Sequence, residues 1–428
     1  MKVFRSRFIL FLILCALLSA GLISNKVYAE AVYFVTQEGA GEKDGSSWKN
    51  ATNDLRGLMD SLSGEAEIWV AAGVYSPGTG SDDTFPLKKG LKIFGGFAGT
   101  ESVLEERDVK NNVTVLSGEG IIRNAAVVTA HSGASSANTR LDGFTITGGR
   151  NMMNGGGLYI EISSNPMIVN CIFSDNVTFS SGGGIYIFYS SPFILNCTFS
   201  GNASANESGG GVYSFYSSPT FENCLFLENE AFFGGGGIFN FSSTPIVINC
   251  NFIGNRSSFR GGGMTSRGST ILVTSSTFYG NYGEEFGGGM HNEDSFGEIK
   301  NSVFSNNRTS PGNGGGMANV NSTIEVTGCE FTMNTADFYG GGMVNLNSSV
   351  KISDCVFSRN EASRFNGGGM VNWTSAVTIS NSSFSENIAI TGGGIYNHNS
   401  SPVMENNVFS ENRARRGDDD IDSSVIEN

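Results

Sequence analysis

The sequence predicts an all-β fold, a right-handed parallel β-helix in which each coil of the chain stacks on the one before it. Two phrases recur in the same register through the second half of the chain. Three glycines followed by an apolar residue return every 25 to 27 residues, and the phrase Phe-x-x-Asn returns with them. A strand that meets its equivalent one period later lies parallel to it, and such connections are right-handed in nearly all proteins. Each period is therefore one coil, with coils about 4.8 Å apart.

The two phrases define about ten regular coils. The apolar residues after the glycines are Leu158, Ile185, Val212, Ile238, Met264, Met290, Met317, Met343, Met370 and Ile395. The phenylalanines are Phe173, Phe199, Phe226, Phe252, Phe278, Phe304, Phe331, Phe357, Phe384 and Phe409, each with Asn three places on. Between them lie two or three short runs of alternating polarity bounded by turn residues, which predicts strands and turns with no room for a helix.

Spacing within a coil predicts which side chains face inward. The residue five places before each Phe is apolar, and the residue two places before it is usually Cys or small. These two columns are three residues apart, so the alternation of a strand must break between them, and Asn occupies the break in most coils. Asn tolerates left-handed backbone, and its amide can bond to the Asn of the next coil. We expect an Asn ladder at this bend and a second one at the Asn of Phe-x-x-Asn.

The glycine triplets require a structural reason. Each glycine costs about 0.5–1 kcal/mol relative to Ala in a regular element. Such a cost persists where the backbone needs conformations that other residues resist, or where coils approach too closely for a Cβ atom. A phosphate-binding loop is disfavoured because the Gly-Lys-Ser/Thr ending and a following helix are missing.

The first 29 residues predict a secretory signal peptide. Lys2, Arg5 and Arg7 form a basic start, Phe8 to Leu18 an apolar run, and Val27-Tyr28-Ala29 a cleavage site. No other stretch approaches the about 20 apolar residues of a membrane span. We therefore expect a secreted or cell-surface protein with three parts: signal peptide 1–29, an N-terminal cap with irregular coils over 30–140, and regular repeats with a charged C-terminal cap over 141–428.

The net charge of the chain excludes some classes of binding partner. The formal net charge is −14, and an acidic surface repels nucleic acid and anionic lipid. We expect a monomer whose partner is a polysaccharide or a surface protein, with no nucleic acid and no membrane span.

Both ends of the solenoid carry predicted caps. Residues 51–62 place Leu55, Leu58, Met59 and Leu62 on one face of a short helix, with Asn53 available as its N-cap. Such a helix would cover the first coil, whose edge could otherwise recruit another chain.

At the other end, Ile421 falls in register as an eleventh unit, and Asp418-Asp419-Asp420 replace the glycines. Charge at a terminal edge opposes end-to-end aggregation. Calcium binding at the triplet is an open alternative, although we predict no cofactor and no metal.

Six cysteines follow the signal peptide: Cys171, Cys197, Cys224, Cys250, Cys329 and Cys355. All six share the column two places before Phe. Neighbouring side chains in such a column run parallel, with Cβ atoms about 4.8 Å apart where a disulfide prefers about 3.8 Å. Buried free thiols are therefore favoured over disulfides, and a single-file column does not offer convergent metal ligands.

The repeats resemble those of polymorphic outer-membrane proteins, whose signature is a Gly-Gly-Ala-Ile-like phrase followed by Phe-x-x-Asn. More broadly, residues 141–428 resemble the secreted pectate-lyase-like β-helix superfamily, and residues 67–77, 91–101 and 141–149 resemble the segment that precedes such repeats in bacterial surface proteins. Two features depart from the outer-membrane family: Gly-Gly-Gly replaces Gly-Gly-Ala, and no translocating barrel follows before Asn428. The resemblance implies fold and export more than autotransport.

Polysaccharide lyases of this fold use clustered carboxylates to bind calcium together with a basic residue. The best local cluster is His291, Glu293 and Asp294, but the equivalent positions of neighbouring coils hold Thr265, Arg267, Ala318 and Val320. We interpret the cluster as a solvated turn and predict no catalytic residue.

Aromatic residues mark a candidate binding face. Alternation sends Tyr159, Tyr186, Tyr213 and Phe239 outward, and Phe188, Phe215 and Phe241 follow two places on. Adjacent exposed rings can bind sugar rings or a partner protein, or they can simply stack on each other to stabilise the sheet. The later coils place Thr265, His291, Ala318, Val344 and Val371 in the first of these columns, so the aromatic patch has a boundary. The sequence thus favours a surface or extracellular binding and adhesion module for glycan or protein, with a polysaccharide lyase or glycoside hydrolase as the alternative.

Overall fold

The computed structural model describes residues 31–120, 122–131 and 138–424, so the predicted signal peptide lies outside it. The chain forms a right-handed parallel β-helix of about 14 turns, in four sheets that run along the axis. The predicted fold is confirmed. A coil passes through the sheets in the order A, B, D and C, which gives four short strands where two or three were expected.

The strands are given by sheet. Sheet A contains Ala31–Val35, Ala66–Ala71, Leu91–Phe97, Arg140–Asp142, Met167–Val169, Phe193–Leu195, Thr220–Glu222, Ile246–Ile248, Thr270–Thr274, Phe296–Lys300, Thr323–Thr327, Ser349–Ser353, Ala376–Ser380 and Val403–Glu405. Sheet B contains Gly73–Tyr75, Thr114–Ser117, Phe144–Thr147, Ile172–Ser174, Thr198–Ser200, Leu225–Leu227, Asn251–Ile253, Thr277–Tyr279, Val303–Ser305, Glu330–Thr332, Val356–Ser358, Ser383–Ser385 and Val408–Ser410. Sheet D contains Arg150–Asn151, Val177–Thr178, Ala203–Ser204, Glu230–Ala231, Arg256–Ser257, Tyr282–Gly283, Arg308–Thr309, Thr335–Ala336, Glu361–Ala362, Ile388–Ala389 and Arg413–Ala414. Sheet C contains Phe85–Pro86, Val128–Ala130, Leu158–Ile160, Ile185–Phe188, Val212–Phe215, Ile238–Phe241, Met264–Arg267, Met290–Glu293, Met317–Val320, Met343–Leu346, Met370–Trp373, Ile395–His398 and Ile421–Ser424.

The interior is built from columns of identical or similar side chains. The ring centroids of the Phe-x-x-Asn phenylalanines stack 4.5–5.1 Å apart from Phe173 to Phe409. The apolar column five places before Phe is fully buried from Ile168 to Ile379, and only its last member, Met404, is exposed. The residues two places before Phe are also buried from Cys171 to Ser382, so both predicted inward columns are confirmed.

Two asparagine ladders lie where they were predicted. Asn170, Asn196 and their equivalents have φ near +50° at the bend between sheets A and B, and the Asn196 amide donates to Asn170 Oδ1 at 3.3 Å. The Asn of Phe-x-x-Asn is buried, and Asn202 Nδ2 donates both to Asn229 Oδ1 at 2.9 Å and to the Phe173 carbonyl at 2.8 Å. Each coil therefore bonds to its neighbours through side chains as well as through strands.

The triplet glycines have two different causes. The first glycine of every triplet has φ between +56° and +75°, which favours a residue without Cβ. At the second and third positions a Cβ would collide with the next coil: on Gly184 it would lie 2.5 Å from the Gly211 carbonyl oxygen. The first glycine is therefore required by its backbone conformation, and the second and third by the close approach of neighbouring coils.

A short helix, α1 (Leu55–Ser61), caps the N-terminal end, and two 3₁₀ turns lie at Trp48–Asn50 and Leu104–Glu106. The helix buries Leu55 and Met59 in the core, with Leu58 and Leu62 packed against it, as predicted. The predicted N-cap was wrong: Asp54, not Asn53, caps α1, and its Oδ1 accepts from Gly57 N at 2.8 Å.

The C-terminal coil is in register, since Ile421 pairs with Ile395. Two of the triplet aspartates accept hydrogen bonds from nearby residues. Asp419 Oδ1 accepts one from Ala414 N, and Asp420 Oδ1 accepts one from Asn412 Nδ2. Met404, the inward residue of this coil, is 39% exposed, whereas its equivalents in the preceding coils are fully buried. Among the described residues, this last coil is therefore the least covered of the regular ones.

The six cysteines occupy one buried inward column and are free thiols in the structure. Cys197 Sγ donates to the Leu195 carbonyl at 3.3 Å. Burial raises the pKa of the Cys197 thiol, which lowers its reactivity. The predicted placement is confirmed, and the chemical state of the thiols stays a prediction.

Candidate functional site

The seven predicted aromatic residues lie together on the outer face of sheet C, where they form two columns of stacked rings. We call this surface the aromatic face; it comprises the outward rings of Leu158–Ile160, Ile185–Phe188, Val212–Phe215 and Ile238–Phe241. Parallel pairing places each ring over its equivalent in the next coil. The strand register that stacks the interior side chains therefore also stacks the outward rings.

The first column contains Tyr159, Tyr186, Tyr213 and Phe239. Its ring centroids are 5.4, 5.3 and 5.2 Å apart and the rings are within 7° of parallel. Burial raises the pKa of Tyr213 to about 12 and raises the pKa of Tyr186 further.

The expected exposure of this first column was wrong at its centre, because Tyr186 is only 7% exposed. The segment entering each glycine triplet folds over the column. A Cβ on Gly209, for example, would lie 2.8 Å from Tyr213 Cβ. Tyr186 therefore stacks as part of the fold, whereas Tyr159, Tyr213 and Phe239 are half-buried.

The second column, Phe188, Phe215 and Phe241, is half-buried. Its centroids are 5.6 and 5.4 Å apart. The rings also contact the first column, since Tyr213 and Phe215 lie 6.4 Å apart. This column retains the exposure that a binding surface needs.

A third pair of rings, which the sequence analysis missed, lies at the turn that follows the strands. Tyr189 and Tyr216 stack at 5.2 Å, are each 46% exposed, and contact Phe188 and Phe215 edge-on at 4.7 Å. Both have φ of +47°, and we include them in the aromatic face. The recurring phrase Phe-Tyr-Ser-Ser-Pro was the available signal, but alternation assigns no direction to a turn residue.

A cleft of about 510 Å³ lies where the aromatic face ends. Its aromatic lining comes from Tyr213, Phe239 and Phe241 and from two rings of the loops before the triplets, Phe233 and Phe259. The two loop phenylalanines were also missed, although they lie 26 residues apart and each follows a ladder Asn by four places. The cleft has aromatic groups on two sides.

Charged groups complete this cleft. Arg267 follows Phe241 in the second column and Glu293 follows Arg267. Glu293 pairs with Arg260 at 2.8 Å and with Arg267 at 3.6 Å, and Arg260 also reaches Glu285 at 3.7 Å. The arrangement offers guanidinium donors and carboxylate acceptors beside aromatic rings, a combination suited to hydroxyl-bearing rings.

The opposite end of the second column is also polar. His131 Nδ1 and Glu161 Oε2 lie 3.1 Å apart, and both side chains are accessible. The phenylalanine column is therefore bounded by ion-pairing groups at each end.

The predicted cluster of His291, Glu293 and Asp294 is divided among three environments. His291 is 1% exposed, packs beside Phe286 at 5.8 Å, and has an unpartnered Nδ1. Burial lowers its pKa to about 3. Asp294 is exposed in a left-handed turn, while Glu293 is held by arginines. The interpretation of the whole cluster as a solvated turn was wrong for His291, because the loop containing Phe286 covers its column.

Among residues 31–120, 122–131 and 138–424, no group of three or more His, Cys, Asp or Glu side chains could hold a metal ion. Within the same ranges no helix is long and apolar enough to cross a membrane.

Solved structures with a related fold include three of different function. Tailspike protein 3 of bacteriophage CBA120 is 15% identical with a TM-score of 0.39, over 88% of this chain and 61% of that one, so the chain spans less than two thirds of the tailspike. The periplasmic alginate epimerase AlgG is 10% identical with a TM-score of 0.40, over 92% and 84% of the two chains. PfbA, a surface adhesin of Streptococcus pneumoniae, is 10% identical with a TM-score of 0.27, over 87% of each chain.

No curated protein matches the sequence. The resemblance to polymorphic outer-membrane repeats stays a prediction. The family model described as the right handed beta helix region matches residues 107–278 and 176–331. Together these matches span more than half of the chain, which therefore belongs to the right-handed β-helix family.

Proposed function

We propose that this chain is an exported, extracellular or cell-surface protein that binds glycans through the aromatic face of sheet C. The observation that carries the proposal is the set of parallel rings in register, half-exposed at Phe188, Phe215 and Phe241 and exposed at Tyr189 and Tyr216. The exposed parts of these rings, spaced by one coil, can contact the apolar faces of successive sugar rings. The cleft beside Phe241 supplies hydrogen-bonding groups for their hydroxyls.

Stacking for stability accounts for Tyr186 of the first column, which is buried. It does not account for Tyr189 and Tyr216. Each tyrosine leaves nearly half of its surface in water, and the next coil places Ser242 at the same turn with the same φ of +47°. Since serine adopts the same backbone conformation at this turn, the turn itself does not require tyrosine.

The ion pairs of Glu293 favour a binding function over the lyase or hydrolase alternative. This carboxylate lies beside the aromatic face, but it is already held in ion pairs with Arg260 at 2.8 Å and Arg267 at 3.6 Å. A protein partner is the competing ligand class, and the same rings would contact it.

The test is a glycan array probed with the mature protein and with the variant Tyr189→Ser/Phe215→Ser/Tyr216→Ser. We expect the variant to lose binding while its circular dichroism and thermal midpoint change only modestly, because these rings are exposed or half-exposed. The matched control is Tyr279→Ser, which removes a 49% exposed tyrosine from the outer face of sheet B. Unchanged glycan binding in a folded triple variant, or equal loss in the control, would contradict the proposal.

A further inference from the structure

A groove of about 980 Å³ runs along the outer face of sheet A, on a different side of the solenoid from the aromatic face. Its lining begins at Ser218 and ends at Val403, so it crosses eight coils. At about 4.8 Å per coil the groove is about 34 Å long. We call it the axial groove because it lies parallel to the solenoid axis and across the strands.

The sequence explains where the axial groove forms. Pro192, Pro219 and Pro245 precede three-residue strands of sheet A, because proline cannot donate to the ladder. The next five coils have Ile271, Gly297, Ile324, Val350 and Val377 at the proline position, and their strands contain five residues. Proline returns at Pro402. The longer strands add a second outward column, and the groove lies between the two columns.

Six of the eight coils place a hydroxyl group in one column of the groove, and Phe296 and Ala376 occupy that column in the other two. The hydroxyls belong to Ser218, Thr244, Thr270, Thr323, Ser349 and Ser401. Those of Ser218 and Thr244 bond to each other. In the same column Phe296 projects into solvent with 59% of its surface exposed. The groove therefore combines a row of hydrogen-bonding groups with one accessible aromatic ring.

The charges that face the axial groove are neutralised within the protein. The lining contains three charged residues among those the structure describes, Glu298, Glu325 and Lys351. Lys351 pairs with Glu325 at 2.9 Å, and Glu298 pairs with Lys300 at 2.5 Å. In a chain of net charge −14, this surface favours an uncharged occupant.

A polypeptide strand cannot dock here by extending the sheet. The strands under the groove from Ile246–Ile248 to Ala376–Ser380 pair with neighbours on both sides, and Val403–Glu405, the last described strand of sheet A, pairs on one side at the end of the groove. Their backbone groups are used within sheet A, and added strands need a free edge. The occupant must be recognised by side chains alone, over a long and narrow path.

We propose that the axial groove binds a linear, uncharged polysaccharide laid along the solenoid axis. The sugar hydroxyls exchange hydrogen bonds with the row of serine and threonine hydroxyls, and one sugar ring stacks on Phe296. This site is independent of the aromatic face.

The test is calorimetry of the mature protein with cellohexaose, mannohexaose, xylohexaose and laminarihexaose, and with hexagalacturonate as the charged comparison. At least one neutral hexasaccharide should bind, and Phe296→Ser should weaken that binding about tenfold. Ser349→Trp, which fills the groove at a position exposed to solvent, should abolish it. Tyr279→Ser and the triple aromatic-face variant should bind as the unaltered protein does.

Three outcomes would overturn the proposal: none of the neutral hexasaccharides binds, hexagalacturonate binds as tightly as they do, or binding survives both groove substitutions. Phe296→Ser removes an exposed ring, so the test stands even if Ser349→Trp disturbs folding. A glycan that loses binding only in the triple variant belongs to the aromatic face, which separates failure of one site from failure of the other.

Discussion

The outer face of sheet C differs between two groups of coils that share one interior. In the aromatic coils, residues 158–241, the outward columns carry stacked rings and end in an open cleft. In the aliphatic coils, residues 317–373, the first outward column is Ala318, Val344 and Val371, fully buried beneath Tyr339 and neighbouring side chains. The first outward column is therefore mostly half-buried in one group of coils and fully buried in the other, while the second column is half-buried in both.

The difference shows which positions the fold requires. The buried Phe and Asn columns continue unchanged through both groups, because a missing ring or amide would leave a cavity or an unbonded group against two neighbours. The outward columns change residue type without any break in strand register. Function can therefore be carried by the exterior while the interior stays constant.

The largest expected effect tests whether the interiors are equivalent. Phe226→Ala in the aromatic coils and Phe331→Ala in the aliphatic coils should each lower the free energy of unfolding by about 3–5 kcal/mol. Both rings are fully buried and stacked at 4.7 and 4.8 Å between two others. Chemical denaturation measures the loss. Ser200→Ala, on the outward side of the same sheet, should stay within about 0.5 kcal/mol, and a clearly unequal loss at the two phenylalanines would break the equivalence.

A smaller effect, dependent on pH, tests the boundary between the two groups. Burial holds the pKa of His291 at about 3 in the folded protein, against about 6.5 in an unfolded chain. The unfolded state therefore binds more protons between these values, so the stabilisation is complete above pH 6.5 and declines as the pH falls towards 3. The slope should be about 1.4 kcal/mol per pH unit.

The measurement for His291 is the unfolding free energy of the wild type relative to His291→Val from pH 7.5 to 4. Valine is the residue at this position in two of the aliphatic coils, Val344 and Val371. If the difference in unfolding free energy between the two proteins did not change with pH, the histidine would be solvated. The loop containing Phe286 would then not cover His291.

The smallest expected effect is that of a reductant, which should leave the thermal midpoint unchanged. The cysteine column passes from Cys171 to Cys355 through both groups of coils, and its thiols are buried. Alkylation should label few of them in the folded protein and all six after denaturation without reductant. A need for reductant would demonstrate disulfides and contradict the free-thiol account.

The sequence predicted the coils, the inward columns and two of the Asn ladders because each is a repeat with a fixed period. A third ladder, in which Asn292, Asn319 and Asn345 bond at 2.9 Å inside sheet C, was not predicted. Its signal was available, since Asn follows two places after the triplet's apolar residue, and alternation directs that position inward.

The candidate site was predicted less completely. The spacing of the repeats predicted that the seven aromatic residues lie together. It could not predict that Tyr186 is buried, because its burial depends on the path of the segment that enters the glycine triplet. Phe233 and Phe259 lie 26 residues apart in loops of equal length, so their register was available, but two rings in neighbouring coils do not stand out as a repeat. The axial groove depends on which coils lack proline, a feature visible in the sequence only after the strands are placed.

The most direct test of the account is hydroxyl-radical footprinting of the mature protein, with and without a glycan identified on the array. Ligand contact on the aromatic coils predicts protection of Tyr189, Phe215 and Tyr216, and no change at Tyr339 and Trp373 in the aliphatic coils. Protection of the second pair, or no protection of the first three rings in the presence of saturating glycan, would contradict the claim that the aromatic face is the binding surface.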